Sequence, residues 1–185
     1  MVIVPATPRP RPRRPWAPSL RHQFAVRCFG PDGRLLWEET LRNRLSNQGQ
    51  SDVVATIYQA VAWPSATLYG RLYNYSPLQT DTLGTLTNEM SGNGYAAVGW
   101  TRGTTDFPGT PAVLSTGESE IVGVAKTFGP ATGAGIGPFT YFVFATTSDN
   151  TGHFISYAPF SAARTILAGA SLQVQPRCRI RGVSV

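Results

Sequence analysis

Apolar and polar positions alternate through much of the chain, and the alternation starts at residue 22. In "HQFAVRCFG" the side chains of Phe24, Val26 and Cys28 fall on one strand face. The turn signal "GPDG" at 30–33 follows and "RLLWEET" runs back, so 22–40 reads as a β-hairpin. The period then changes. In "SNQGQSDVVATIYQAVAW", Val53, Ile57 and Val61 recur at helical spacing behind Ser51 as N-cap, predicting one helix over 51–62 and no other long one. Beyond it come short β-favouring runs at 66–74, 94–100, 110–116, 119–128, 139–148, 152–160, 164–168 and 171–180. Gly, Pro, Ser and Asn separate them. Parallel strands would need helices between them, so the expectation is a mainly β fold: an antiparallel, jelly-roll-like β-sandwich with one helix.

Two glycine-rich stretches interrupt this pattern. In "TDTLGTLTNEMSGNGYAAVGW" (80–100), Asp81 is placed to cap a short turn whose Leu83, Leu86 and Met90 face inward. Gly92 and Gly94 then permit the turn into a strand carrying Tyr95 and Trp100, so the stretch reads as a packed connection and not a ligand cradle. "GPATGAGIGPF" (129–139) lacks the G-K-[ST] ending of a phosphate loop and no helix follows it; a mobile surface loop is expected.

Residues 5–20, "PATPRPRPRRPWAPSL", break the pattern altogether, with six prolines and four arginines. Proline fixes φ and removes amide donors, so residues 1–21 are expected to form an extended arm and 22–185 a single β-sandwich domain. Sixteen residues of polyproline reach roughly 50 Å. The net charge of +6 belongs to this end: residues 1–31 hold six arginines and no acid, whereas 32–185 hold ten basic and ten acidic side chains. A groove-reading DNA-binding domain would carry its positive charge on a structured face, so nucleic acid is not expected as a partner. Charged residues make up only 14% of the chain, against roughly 25% in an average soluble domain. A surface so poor in charge is weakly protected against association and fits a component of an assembly. No segment reaches the ~18 apolar residues of a membrane span, and "MVIV" is followed at once by Pro and Arg, so a soluble chain made in the cytoplasm is expected.

Catalytic chemistry has little to build on. His22 and His153 are the only histidines and sit in no recognised motif, and no G-x-S-x-G elbow, P-loop or H-E-x-x-H occurs. Cys28 and Cys178 read as two separate buried thiols, with a single disulfide as the alternative. Glu118 and Glu120 share a strand face expected to be solvated, and Asp149 and Asn150 in "TSDNTG" read as a hairpin turn. No catalytic residue, metal or cofactor is therefore expected. The candidate residues are partner-binding: Arg9, Arg11, Arg13, Arg14 and Trp16 in the arm, and Arg177, Arg179 and Arg181 on one face of the last strand. The latter read either as a solvent-facing row or as an arginine ladder whose planar forks grip an acidic neighbour.

One longer pattern adds to this. Asp32, Gly33, Leu35 and Trp37 are followed by Asn47 and Gly49 before the helix, then by Tyr69, Leu72 and Tyr73. Pro77, Asp81, Thr82 and Leu83 come next, then Glu89, and Gly94 and Tyr95 leading to Trp100. This order resembles a class of small tailed-bacteriophage structural proteins. The similarity covers roughly 30–180 by order of elements, with its letters concentrated in 32–100. The resemblance implies a virion component, a capsid decoration (cement) protein on a β-sandwich, with no catalytic residues. Its expected partners are the major capsid protein and neighbouring copies of itself, as a homo-oligomer on the capsid surface. The alternatives are a tail, collar or baseplate component, a nucleic-acid binder using the arginine arm, and a carbohydrate-binding module using exposed Trp and Tyr.

Overall fold

The computed structural model describes residues 19–181, with side chains described over 22–180. The chain runs β1 (Ser19–Phe29), β2 (Leu35–Arg42), β3 (Arg44–Leu45), α1 (Asn47–Tyr58), β4 (Thr67–Tyr73) and β5 (Val98–Thr101). It continues β6 (Ala112–Val113), β7 (Glu118–Val122), β8 (Lys126–Phe128), β9 (Ile136–Ala145), β10 (Phe154–Ile166) and β11 (Ser171–Arg181). One sheet has the order β2-β1-β11-β7-β6 with β8 also on β11; the other is β3-β10-β9-β4-β5. All their pairings are antiparallel. The mainly β, sandwich-like expectation is thus met, although the strand order does not by itself single out a jelly roll.

The alternation in β1 does what its period requires. Phe24, Val26 and Cys28 point inward beside Leu172 and Val174 of β11, and all five are buried. They meet an aromatic layer from the second sheet. Phe24 lies 4.5 Å from Phe142 and 5.4 Å from Phe144, and Trp100 packs 5.7 Å from Phe144, ring centre to ring centre. Burying each such side chain stabilises by about 1.5–3 kcal/mol, so the fold rests on this layer. Gly70 of β4 leaves the space: a Cβ there would stand 2.6 Å from Phe142 Cζ and 2.9 Å from Trp100 Cζ3.

The second sheet is buried on its other face too, which explains the nearly unbroken apolar run in β9. Val143 and Ala145 point away from the sandwich and are covered by Leu83, on the 3-10 turn Leu83–Thr85, and Leu86, just after it. The 80–100 stretch is therefore a packed cover, as expected. Asp81 caps an earlier turn than expected, its Oδ2 accepting from the Leu78 amide at 2.8 Å, while Thr82 is the N-cap of the 3-10 turn.

Several boundaries differ, each for a physical reason. β1 begins at Ser19, so residues 19–21, assigned to the arm by composition, belong to a strand paired with β11. The helix starts at Asn47 because Ser46, not Ser51, is its N-cap, accepting from the Gly49 amide at 2.9 Å. The expected strand over 119–128 is split into β7 and β8 opposite Pro176 of β11, which has no amide to donate to a ladder. The runs 152–160 and 164–168 join as β10, with 161–163 bulging out between the residues paired to Tyr141 and Phe139. The 110–116 run shortens to β6 because a turn closes at once, the Gly117 amide donating to Leu114 O. The 94–100 run shortens to β5 because Asn93 and Gly94 adopt left-handed backbone before it. The 129–139 loop, expected to be mobile, is pinned. Ala131 and Ile136 are buried, Asn93 Nδ2 donates to Gly135 O at 2.8 Å, and Ala131 exchanges backbone bonds with 169–170.

Candidate functional site

The arginine row on β11 is positioned by antiparallel register. Arg179 pairs with Glu120, and Arg181 with Glu118, on the adjacent β7. Arg179 Nη2 lies 2.9 Å from Glu120 Oε2 and its Nη1 3.7 Å from Glu118 Oε2. Arg177 Nη1 approaches Glu120 Oε1 only to 3.9 Å. The ladder therefore meets its acidic neighbour within the same chain. The expectation of a solvated Glu118–Glu120 face is corrected: both carboxylates are buried beneath the arginines. Arg177 is the most open of the described pair and lines a groove of about 360 Å³ with Gln23, Arg27, Glu38 and Thr40, where Arg27 and Glu38 pair at 3.3 Å. Arg9, Arg11, Arg13, Arg14 and Trp16 lie outside the described residues, as does the side chain of Arg181.

The histidines and cysteines do not converge. His22 is packed edge-on to Phe144, and burial lowers its pKa to about 4, so it is neutral near pH 7. His153 Nδ1 contacts Asp52 Oδ2 at 2.8 Å and ties α1 to the start of β10. Cys28 and Cys178 are both free thiols, and burial pushes Cys178 up to about 12. Cys28 is buried as expected, whereas Cys178 is only half-buried. Among the described residues no group of three or more His, Cys, Asp and Glu is placed to hold a metal. No described helix is long and apolar enough to cross a membrane.

Two features escaped the sequence reading. The first is a buried polar centre. Arg71, fully enclosed on β4, donates Nε to Glu89 Oε1 at 2.8 Å and Nη2 to Glu89 Oε2. It also donates Nη1 to Asp149 O at 2.8 Å and Nη2 to Asn150 Oδ1 at 2.7 Å. Tyr95 Oη donates to Glu89 Oε1 at 2.8 Å and accepts from the Leu72 amide at 3.1 Å. The network joins β4, the 80–100 cover and the 146–153 hairpin turn that Asp149 and Asn150 were expected to form. Burial and the Glu89 charge together push the Tyr95 hydroxyl well above its usual range. Its signal in the sequence was a lone arginine inside an apolar strand, which must find a partner if buried. The centre ties these three segments together.

The second is α1, which is turned inside out. Its N-terminal end touches the body through small and polar groups: Gly49 against β10, Gln48 accepting from the Phe154 amide at 2.8 Å, and Asp52 on His153. Val54, Ile57, Tyr58 and, just past the helix, Val61 are exposed at 54%, 62%, 78% and 52%. Of Val53, Ile57 and Val61, which the helical spacing put on one face, Val53 is half-buried and Ile57 and Val61 are exposed. Val54, Ile57 and Tyr58, at i, i+3 and i+4, share the side of a helix that is normally buried, and here they are exposed; Val61 follows the left-handed Ala60 that ends the helix.

No protein-family model matches the chain, and no curated protein matches it.

Proposed function

We propose that this protein is a bacteriophage virion structural protein: a head decoration protein whose body sits on the lattice of the major capsid protein and whose arm reaches neighbouring subunits. The observation that carries this reading is the division of charge and apolar surface between the two parts of the chain. The body commits its buried charges to internal pairs. Besides Arg71–Glu89 and Arg179–Glu120, these include Lys126–Asp106 at 2.9 Å and Arg164–Glu39 at 3.3 Å, the last joining the two sheets across β2 and β10. Four of the six net positive charges lie in the arginine-proline segment, and the other two in the body. Among the described residues the body also presents the exposed apolar side chains of α1 and, in β2, a strand at the sheet edge, both suited to protein contacts. Repeated by lattice symmetry, modest contacts of this kind add up to firm attachment. The resemblance over 32–100 supports the same reading.

Arginines alternating with prolines cannot build a groove-reading helix, which favours protein over DNA as what the arm meets. The test removes residues 1–18 and spares β1. The shortened chain is expected to keep its β spectrum and to attach to phage particles at least tenfold more weakly than the full chain. Equal attachment would overturn the tether. Binding of duplex DNA by the full chain at physiological salt, lost in the shortened one, would favour the nucleic-acid alternative.

A further inference from the structure

We propose that the outward apolar side chains of α1 (Val54, Ile57 and Tyr58), with Val61 just beyond it, are the docking site for residues 1–4 of a neighbouring copy of this chain. The proposal rests on the reading of the arm as a protein tether and names where the tether ends. Residues 1–4 are Met, Val, Ile and Val, the one apolar cluster in the segment before β1. They are joined to Ser19 by fourteen residues, six of them proline.

The placement follows from the fold. At the start of β1, the His22 amide donates to Asn43 Oδ1 at 2.7 Å and the Asn43 amide donates back to His22 O at 3.2 Å. Asn43 lies four residues before α1, so the arm leaves the body at the end where the helix begins. Fourteen residues of proline-rich chain span roughly 40 Å. The twelve residues of α1 cover only about 18 Å. A tether of that reach is long enough to take residues 1–4 past their own helix and onto that of a neighbour.

The size of the stripe selects the same occupant. Four side chains offer on the order of a few hundred Å² of apolar surface, the scale at which a patch marks an interaction site. That is short of the roughly 800 Å² per partner that a standard protein interface buries, so a helix-to-helix dimer through α1 alone is under-supported. A short apolar segment, held near by its tether, needs no more than this. The charge agrees, since among residues 47–61 the sole charged side chain, Asp52, is turned inward onto His153.

The test uses full chains. An isotope-labelled Ile3→Cys chain is mixed with an unlabelled Val54→Cys chain at about 1 mM, in the range of tethered effective concentrations, and oxidised. The wild-type chain, with its own Cys28 and Cys178, is the blank. The expected result is a mixed-isotope 3–54 disulfide dimer as the main product, reduced at least tenfold when Ile57→Asp is added to the Val54→Cys chain. Val113→Cys, at a still more exposed valine on β6, serves as the control partner and is expected to link poorly. Linkage at 113 equal to that at 54 would overturn the proposal. So would a 54–54 dimer in place of 3–54, or a doubly substituted Ile3→Cys/Val54→Cys chain that closes only on itself. If the 3–54 link fails while deletion of residues 1–18 still weakens particle attachment, the docking site is wrong and the decoration reading stands. If the link forms but deletion leaves attachment unchanged, the reverse holds.

Discussion

Arg71 is the residue on which the second sheet and its cover depend. A buried guanidinium is tolerable only with its donors satisfied, and Glu89, Asp149 and Asn150 satisfy them. Glu89→Gln removes the counter-charge and leaves the cation buried, so denaturant unfolding should show a loss of about 3–5 kcal/mol. Replacing both partners, Arg71→Met with Glu89→Leu, should recover much of that loss; a double variant as unstable as the single one would contradict this account. His22 supplies the pH dependence. Its folded pKa, about 4, lies below its unfolded value, so between the two the unfolded chain binds the extra proton. Stability is therefore full above about 6.5 and falls, by a few kcal/mol, as the pH drops toward 4. Unfolding measured at pH 7 and pH 5 should show the loss in the wild type and a smaller one in His22→Gln.

At the scale of elements, α1 shows what pattern can and cannot say. The helical period made the helix legible, but not which way its stripe points, because a period fixes spacing and not orientation. Orientation was set by Gly49, where a Cβ would stand 2.1 Å from Ile155 O: the helix lies against β10 on its smallest residue. Gly49→Ala should therefore cost roughly 2–3 kcal/mol, the scale of overpacking, while Ile57→Ser should change stability by less than about 0.5 kcal/mol. Thermal unfolding of the two variants distinguishes this from a core-facing stripe, for which their order would invert. The strands were legible where one side chain in two is buried, as in β1. They were misjudged where a residue on another strand decides the boundary, as Pro176 does for β7 and β8. The arginine ladder was visible as a row, and so were the two glutamates. Their meeting was not, since antiparallel pairing brings together positions 59 residues apart.

Over the whole molecule, a well-tied body is joined to a segment that carries four of the six net positive charges and the spare apolar cluster. That division is the basis for assigning a role in an assembly. A decoration protein is present at every equivalent site of a shell, whereas a tail, collar or baseplate component is limited to the small number that a closed ring admits. The most direct measurement is the copy number of this chain per purified particle, from quantitative mass spectrometry with the major capsid protein as internal reference. The account predicts hundreds of copies, in a simple ratio to the capsid subunit; about 6 to 12 copies, as ring symmetry allows, would contradict it and place the protein in the tail.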